Sequence, residues 1–208
     1  MHPNPIFRRE ADARHRAFAR ERGFGQLTIC DVKGPLAAHV PVLFDDEGAF
    51  AEMHLMRSNP VARALATPQA ALLSMTGPDG YVSPDWYGVA DQVPTWNYVA
   101  VHVRGTLERR PDTELRGVLD RLSHAMETRL PKVPWHSGKM SPGVMERMMR
   151  SLVPCRFRIE TIDGTWKLSQ NKTAPARDGA ADGVASGTAP GQEQATLAHW
   201  MRSIETDA

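Results

Sequence analysis

The chain has 208 residues, a length that suits one domain, or one domain with a small appendage, and is enough to bury a core without disulfide or metal staples. Lysine and arginine number 25 against 24 aspartates and glutamates, a formal charge of +1, so a nucleic-acid contact would need a local basic patch rather than a whole-body field. No apolar run approaches the ~20 residues of a membrane span, so no membrane association is expected.

The first 22 residues hold six arginines against three acids and are the most basic stretch. They read as a short helix from Pro5 to Arg22, stopped at Gly23. A solvated helix face explains this segment, and a DNA contact through its arginines is the alternative. The N-terminus is polar and lacks the apolar centre of a signal peptide. Cys30 and Cys155 form no CxxC or zinc spacing and read as free thiols in a reducing cytoplasm.

Short strand-like segments follow at Leu27 to Val32, Leu36 to Phe44 and Ala49 to Leu55. Another runs from Ala70 to Thr76 and is expected to close at the turn Gly77-Pro78-Asp79-Gly80. From Thr95 to Leu107 the pattern alternates, with Val99, Val101 and Val103 on one face. Cys155 to Thr161 and Gly164 to Gln170 read as the two arms of a hairpin. Two helices interrupt the strands, at about 112–130 and 142–152. In the first, Leu115, Val118, Leu119, Leu122 and Met126 share one stripe, with Asp112 as N-cap. In the second, Ser141 and Pro142 open the helix, and Met145, Met148 and Met149 read as core filler.

After Asn171 the composition shifts. Residues 173–191 are rich in alanine and glycine and read as a flexible connector, and 192–208 as an amphipathic helix carrying Leu197, Trp200, Met201 and Ile204. Residues 1–172 then form the main domain. Strands do not alternate regularly with helices, which excludes a doubly wound α/β fold and favours a mainly β protein with flanking helices, a closed or partly open β-barrel.

Four blocks carry chemistry. His54-Leu55-Met56-Arg57-Ser58-Asn59-Pro60 places a cap and a proline after a strand, so free helix amides stand beside Arg57, Ser58 and Asn59. That arrangement suits a phosphate, although capping alone needs no ligand. The stretch from Gly77 to Gly88 sets Ser83 and Trp86 among turn formers, where a flat ring, a partner subunit or loop packing can cover the aromatics. Thr95, Trp96 and Asn97 stand at the mouth of a valine-rich strand and offer apolar cover with amide hydrogen bonds. Lys167, Ser169, Gln170 and Asn171 give one strand end an unusual density of donors. No phosphate loop, GxGxxG, HExxH or GxSxG is present, the histidines show no metal-ligand spacing, and no residue declares itself catalytic.

Taken together, PNPIFRREAD, AAHVPVLF, HLMRSNP, GPDGYVSPDWYG, VPTWNYVAVHVRG and WKLSQNK resemble the PaiB-type FMN-binding negative transcriptional regulators, a family of the FMN-binding split β-barrels. His2 stands where that family often has tyrosine, and Met56 and Ser58 where it often has alanine. The resemblance implies a cytoplasmic homodimer that binds FMN. Polar groups at the strand-to-helix junction, here Arg57, Ser58 and Asn59, would hold the phosphate. The blocks containing Ser83 and Trp86, and Thr95, Trp96 and Asn97, would flank the ring, with Lys167, Ser169, Gln170 and Asn171 closing the site. The function implied is negative regulation of transcription, directly or through a partner. The rival expectation is an FMN-dependent oxidoreductase using NAD(P)H.

Overall fold

In the computed structural model, residues 1–204 are described. The strands are β1 (Phe24–Asp31), β2 (Gly34–Pro41), β3 (Leu43–Phe44), β4 (Phe50–Met56), β5 (Gln69–Val82), β6 (Thr95–Arg109), β7 (Leu152–Lys167) and β8 (Gly191–Gln192). The helices are α1 (Asp12–Arg22), α2 (Pro60–Ala64), α3 (Leu115–Glu127), α4 (Val144–Met149), α5 (Ala174–Ala185) and α6 (Gln194–Arg202). The strands follow the order β2-β1-β5-β6-β7-β4-β3, with β8 paired to β5. Every register resolved between them is antiparallel. The architecture is thus mainly β with flanking helices.

The chain divides into two compact units. Unit 1 comprises Met1–His15, Thr76–Val101 and Asp163–Ala208, and unit 2 comprises Arg16–Met75 and His102–Ile162. The long strands β5, β6 and β7 each contribute a part to both.

In unit 2, β1 pairs with β2 along its whole length, and β4 pairs with β7 from Phe50↔Arg158 to Met56↔Leu152. Alternation sends Leu27, Ile29, Met53, Leu55 and Phe157 into the core. The apolar stripe of α3 buries Leu115, Val118 and Leu122, as its spacing requires. Asp112 does not cap that helix. It opens a 3₁₀ turn, Asp112–Glu114, and its carboxylate pairs instead with Arg57 and Arg109. The second inserted helix is shorter than the sequence suggests: α4 begins at Val144, after Gly143. Its methionines are not core filler, since Met148 is exposed and Met145 and Met149 are half-buried.

In unit 1, Val99 and Val101 of β6 are buried together with Phe7, Val82, Trp166 and Leu168. Two turn expectations fail here. The strand β5 runs through Gly77-Pro78-Asp79-Gly80, because Asp79 and Gly80 pair with Gln192 and Gly191 of β8. The hairpin expected at 161–164 is one continuous strand, β7. Gly164 serves close approach rather than a turn: a Cβ there would stand 2.5 Å from the ring of His15.

Residues 174–185, expected to be a flexible connector, form helix α5. Ala176, Ala180, Ala181 and Val184 are buried. Alanine is the best helix former, and small side chains permit close packing. A Cβ on Gly183 would lie 2.1 Å from the Trp86 ring. Leu197 and Met201 of α6 are fully buried as well. The terminal stripe is therefore core, and residues 205–208 of the helix read from the sequence lie outside the described residues. Among the described residues no helix is long and apolar enough to cross a membrane.

Candidate functional site

The sequence-selected residues fall into two groups. In unit 2, Arg57 follows β4 at the surface. Its Nε donates to the Arg150 carbonyl at 3.2 Å, and its Nη2 to the Leu152 carbonyl at 2.9 Å and to Asp112 Oδ2 at 3.0 Å. The guanidinium is thus held in one orientation while its side chain keeps 41% exposure. Hydrogen bonds from Arg109 and then Arg57 hold the Asp112 carboxyl below its usual range. Asn59 caps α2 as its position before proline suggests, accepting from the Val61 N–H at 2.9 Å. Ser58 is exposed beside it. Arg57, Asp112, Leu115, Glu146, Met149 and Arg150 line a cleft of about 420 Å³.

In unit 1 a buried polar cluster joins three segments. Asn97 is fully buried; its Nδ2 donates to Ser169 Oγ at 2.8 Å and points at Met201 Sδ at 3.4 Å. Ser169 Oγ also shares a hydrogen bond with the Tyr87 hydroxyl at 3.1 Å, and burial pushes that phenol's pKa up. Ser169 adopts φ +62°, a strained conformation for a serine, which turns the chain back at the end of β7. Lys167 Nζ donates to Thr95 Oγ1, and burial lowers the lysine pKa. Asn97 Oδ1 is buried with no hydrogen-bond partner among the described residues.

The structure brings Thr95, Asn97, Lys167 and Ser169 together and sets Trp96 apart. Successive residues of β6 face opposite ways, so Trp96 and Tyr98 stand on the other face of the strand. There Thr76, Gly77, Asp79, Trp96, Tyr98, Val99 and Ala100 line a mostly apolar cleft of about 450 Å³. Trp96 is 44% exposed, and Tyr81 meets it edge-on with centroids 6.4 Å apart.

The remaining residues have local duties. Gln170 folds back on its own turn, accepting from the Leu168 N–H and donating to the Trp166 carbonyl. Trp86 packs over Gly179 and Gly183 of α5. Ser83 precedes the 3₁₀ turn Pro84–Tyr87 without capping it, and Asn171 is exposed. Tyr87, Tyr98 and Met201 were not selected from the sequence. The period-two pattern already pairs Tyr98 with Trp96, whereas Met201 lies 104 residues from Asn97 and carries no local signal.

A flat heteroaromatic cofactor needs apolar cover and a few hydrogen-bonding groups in a pocket of roughly 300–1,000 Å³. The Trp96–Tyr98 cleft meets the first and third requirements, and Asp79 supplies a polar group at its wall. Among the described residues no cluster of three or more His, Cys, Asp or Glu could hold a metal ion.

Residues 1–161 match a family model described as "Putative FMN-binding domain". The chain is 32% identical over 158 residues to the "Protease synthase and sporulation protein PAI 2" of Bacillus subtilis, covering 74% of this chain and 75% of that protein. Among solved structures it resembles the FAD and heme binding protein from Mycobacterium smegmatis, with a TM-score of 0.60, 17% identity and coverage of 77% of this chain and 73% of that one. It also resembles the flavocytochrome Anf3 from Azotobacter vinelandii, with a TM-score of 0.52, 13% identity and coverage of 80% and 72%. What these share with the chain is the fold, a split β-barrel that is mainly β with flanking helices. On the family match and the identity to the Bacillus protein, the chain belongs to the PaiB-type FMN-binding family, and its cofactor is FMN.

Proposed function

We propose that this protein is a flavin-holding negative regulator of transcription that works as a homodimer in the cytoplasm. The observation that carries the flavin part is the 450 Å³ cleft walled by Trp96 and Tyr98. FMN supplies reversible one- and two-electron chemistry when bound. Each group of residues has its own role. Trp96 and Tyr98 cover the ring. Asn97, Ser169, Lys167 and Thr95 stiffen the strand that carries Trp96 through their mutual hydrogen bonds. Trp86 and Gln170 support this scaffold from its turns. Within unit 2, Arg57, oriented in advance by Asp112 and two carbonyls, Ser58 and Asn59 are the groups suited to a phosphate.

The N-terminal arginines favour regulation through a partner over direct DNA contact. Arg8 pairs with Asp163 and Arg14 with Glu10. Arg16 donates to the Gly48 carbonyl, and Arg20 to those of Asp45 and Asp46. A DNA phosphate would have to displace or share each of these partners, as a flavin phosphate would at Arg57. Duplex DNA is therefore expected to show no shift. A shift that falls steeply with salt overturns the indirect reading.

The first experiment is the visible spectrum of the purified protein before and after adding FMN. Flavin bands with quenched fluorescence are expected; a colourless protein that ignores FMN removes the proposal. Trp96→Ala should weaken FMN binding about tenfold, the scale of one lost aromatic contact. Arg57→Ala should cost about 1–3 kcal/mol of FMN affinity but leave riboflavin binding unchanged. Titration by fluorescence quenching reads both. Steady NAD(P)H oxidation by the loaded protein would instead establish the oxidoreductase reading.

A further inference from the structure

In unit 2 one carboxylate is shared between two arginines. Asp112 Oδ2 accepts from Arg57 Nη2 and Asp112 Oδ1 from Arg109 Nη2, both at 3.0 Å. All three side chains are exposed, and exposed ion pairs contribute little to stability. The pairing also leaves donors over. Each guanidinium offers five N–H groups in a planar fork. Arg57 Nη1 and Arg109 Nε and Nη1 make no hydrogen bond among the described residues.

Asp112 lines two clefts. One, of about 420 Å³, is walled by Arg57, Arg150, Glu146 and Met149 among others. The other, of about 580 Å³, holds Arg109 and Arg110. Arg110 is paired with Glu108 and Glu114. The Arg150 guanidinium has no ion pair among the described residues, although its carbonyl anchors Arg57 Nε. Arg57, Arg109 and Arg150 therefore face only Asp112 and Glu146. With Asp112 moved aside, the cations clearly predominate.

A carboxylate that gives one oxygen to each of two arginines imitates a phosphoryl group. A phosphoryl group carries roughly −1.5 to −2 charge near neutral pH and has three acceptor oxygens. It pairs with arginine forks through charge-assisted bonds. It could accept from both arginines and still have an oxygen for their spare donors, which Asp112 does not.

We infer that Arg57 and Arg109 form a phosphoryl site whose resident occupant is Asp112, displaced when a phosphoryl group binds. The inference deepens the phosphate reading of Arg57 and rests on it. Arg109 becomes a second anchor. Asp112 orients Arg57 in the free protein and competes with the ligand for both arginines. Two sources share the required chemistry, the phosphate of the flavin and a free phosphoryl group.

The test compares the wild type, Asp112→Asn, Arg109→Gln/Asp112→Asn and Glu146→Gln. The substituted side chains are all exposed, so each variant should fold. Inorganic phosphate at constant ionic strength is followed by thermal unfolding, and FMN against riboflavin by flavin fluorescence. Asp112→Asn is expected to bind the phosphoryl group about tenfold more tightly, the scale of removing one like charge beside an anion. Adding Arg109→Gln should cancel that gain. Glu146→Gln removes a carboxylate that holds no arginine from the wall of the same cleft, and should gain much less. A gain for FMN with riboflavin unchanged supports the inference and assigns the site to the flavin phosphate. A gain for inorganic phosphate alone supports it with a free phosphoryl group, and the flavin reading of Arg57 then falls by itself. The inference is overturned if Asp112→Asn binds no more tightly than the wild type, or if Glu146→Gln gains as much. It is also overturned if the gain survives the loss of Arg109; FMN binding still weakened by Arg57→Ala would then leave the Arg57 reading standing.

Discussion

His15 shows how much a single side chain can depend on its surroundings. It is 3% exposed and accepts the indole N–H of Trp166 on Nδ1 at 3.1 Å. Arg14 lies 4.1 Å over the same indole. Burial lowers the His15 pKa from its ordinary 6.5, against the opposing pull of Asp12, Asp163 and Glu10, with Arg14 assisting the decrease. The folded state therefore prefers neutral imidazole more than the unfolded chain does. That preference is without effect well above pH 6.5. As pH falls below 6.5 the unfolded state takes up the proton first and stability declines, levelling off below the folded-state pKa. His54, lowered by burial in unit 2, has the same sign. Urea unfolding between pH 8 and pH 5 should show this decline, and His15→Gln should make it shallower. An unchanged slope would remove His15 from the account.

At the scale of elements, α5 makes the sharpest contrast between composition and structure. Its alanines and glycines resemble a linker, yet Gly183 is where the Trp86 ring rests. Gly183→Ala gains about 1 kcal/mol of helix propensity but sets a Cβ at 2.1 Å from the ring, where overpacking costs about 1–3 kcal/mol. Net destabilisation is expected, read as a lower urea midpoint with the slope unchanged; a higher midpoint would mean the ring moves freely. The strands were more legible. Alternation placed Val99, Val101 and Val103 inward, and all three are buried. The Asn59-Pro60 pair marked the start of α2 correctly. Glycine misled at Gly77, Gly80 and Gly164, because a residue without a side chain serves a turn and a close contact equally well, and only the neighbours tell them apart.

For the whole molecule, the tail beyond the family match is structural. Val184, Leu197 and Met201 are fully buried, and Met201 touches the Asn97 amide. Each such side chain contributes about 1.5–3 kcal/mol on burial. A chain ending at Asn171 should therefore lose cooperative folding of unit 1. Hydrogen exchange over residues 76–101 reads this directly, with fast exchange expected there and slower exchange in β1 and β4. Full protection at 76–101 would show that the helices are ornament to this unit.

The sequence by itself determined the class of fold, the family and its cofactor, because alternation, capping and contiguous motifs are local and survive being read in one dimension. It also picked out Asn97, Ser169, Lys167 and Thr95 from two separate blocks. Only the tertiary structure decided that these four bond to one another while Trp96 faces away, since opposite faces of a strand become distinct only when each meets its own neighbours. The same holds for Arg57, whose Nε and Nη2 donate to Asp112 and to carbonyls more than ninety residues away. It holds for Arg177, whose burial is imposed by packing.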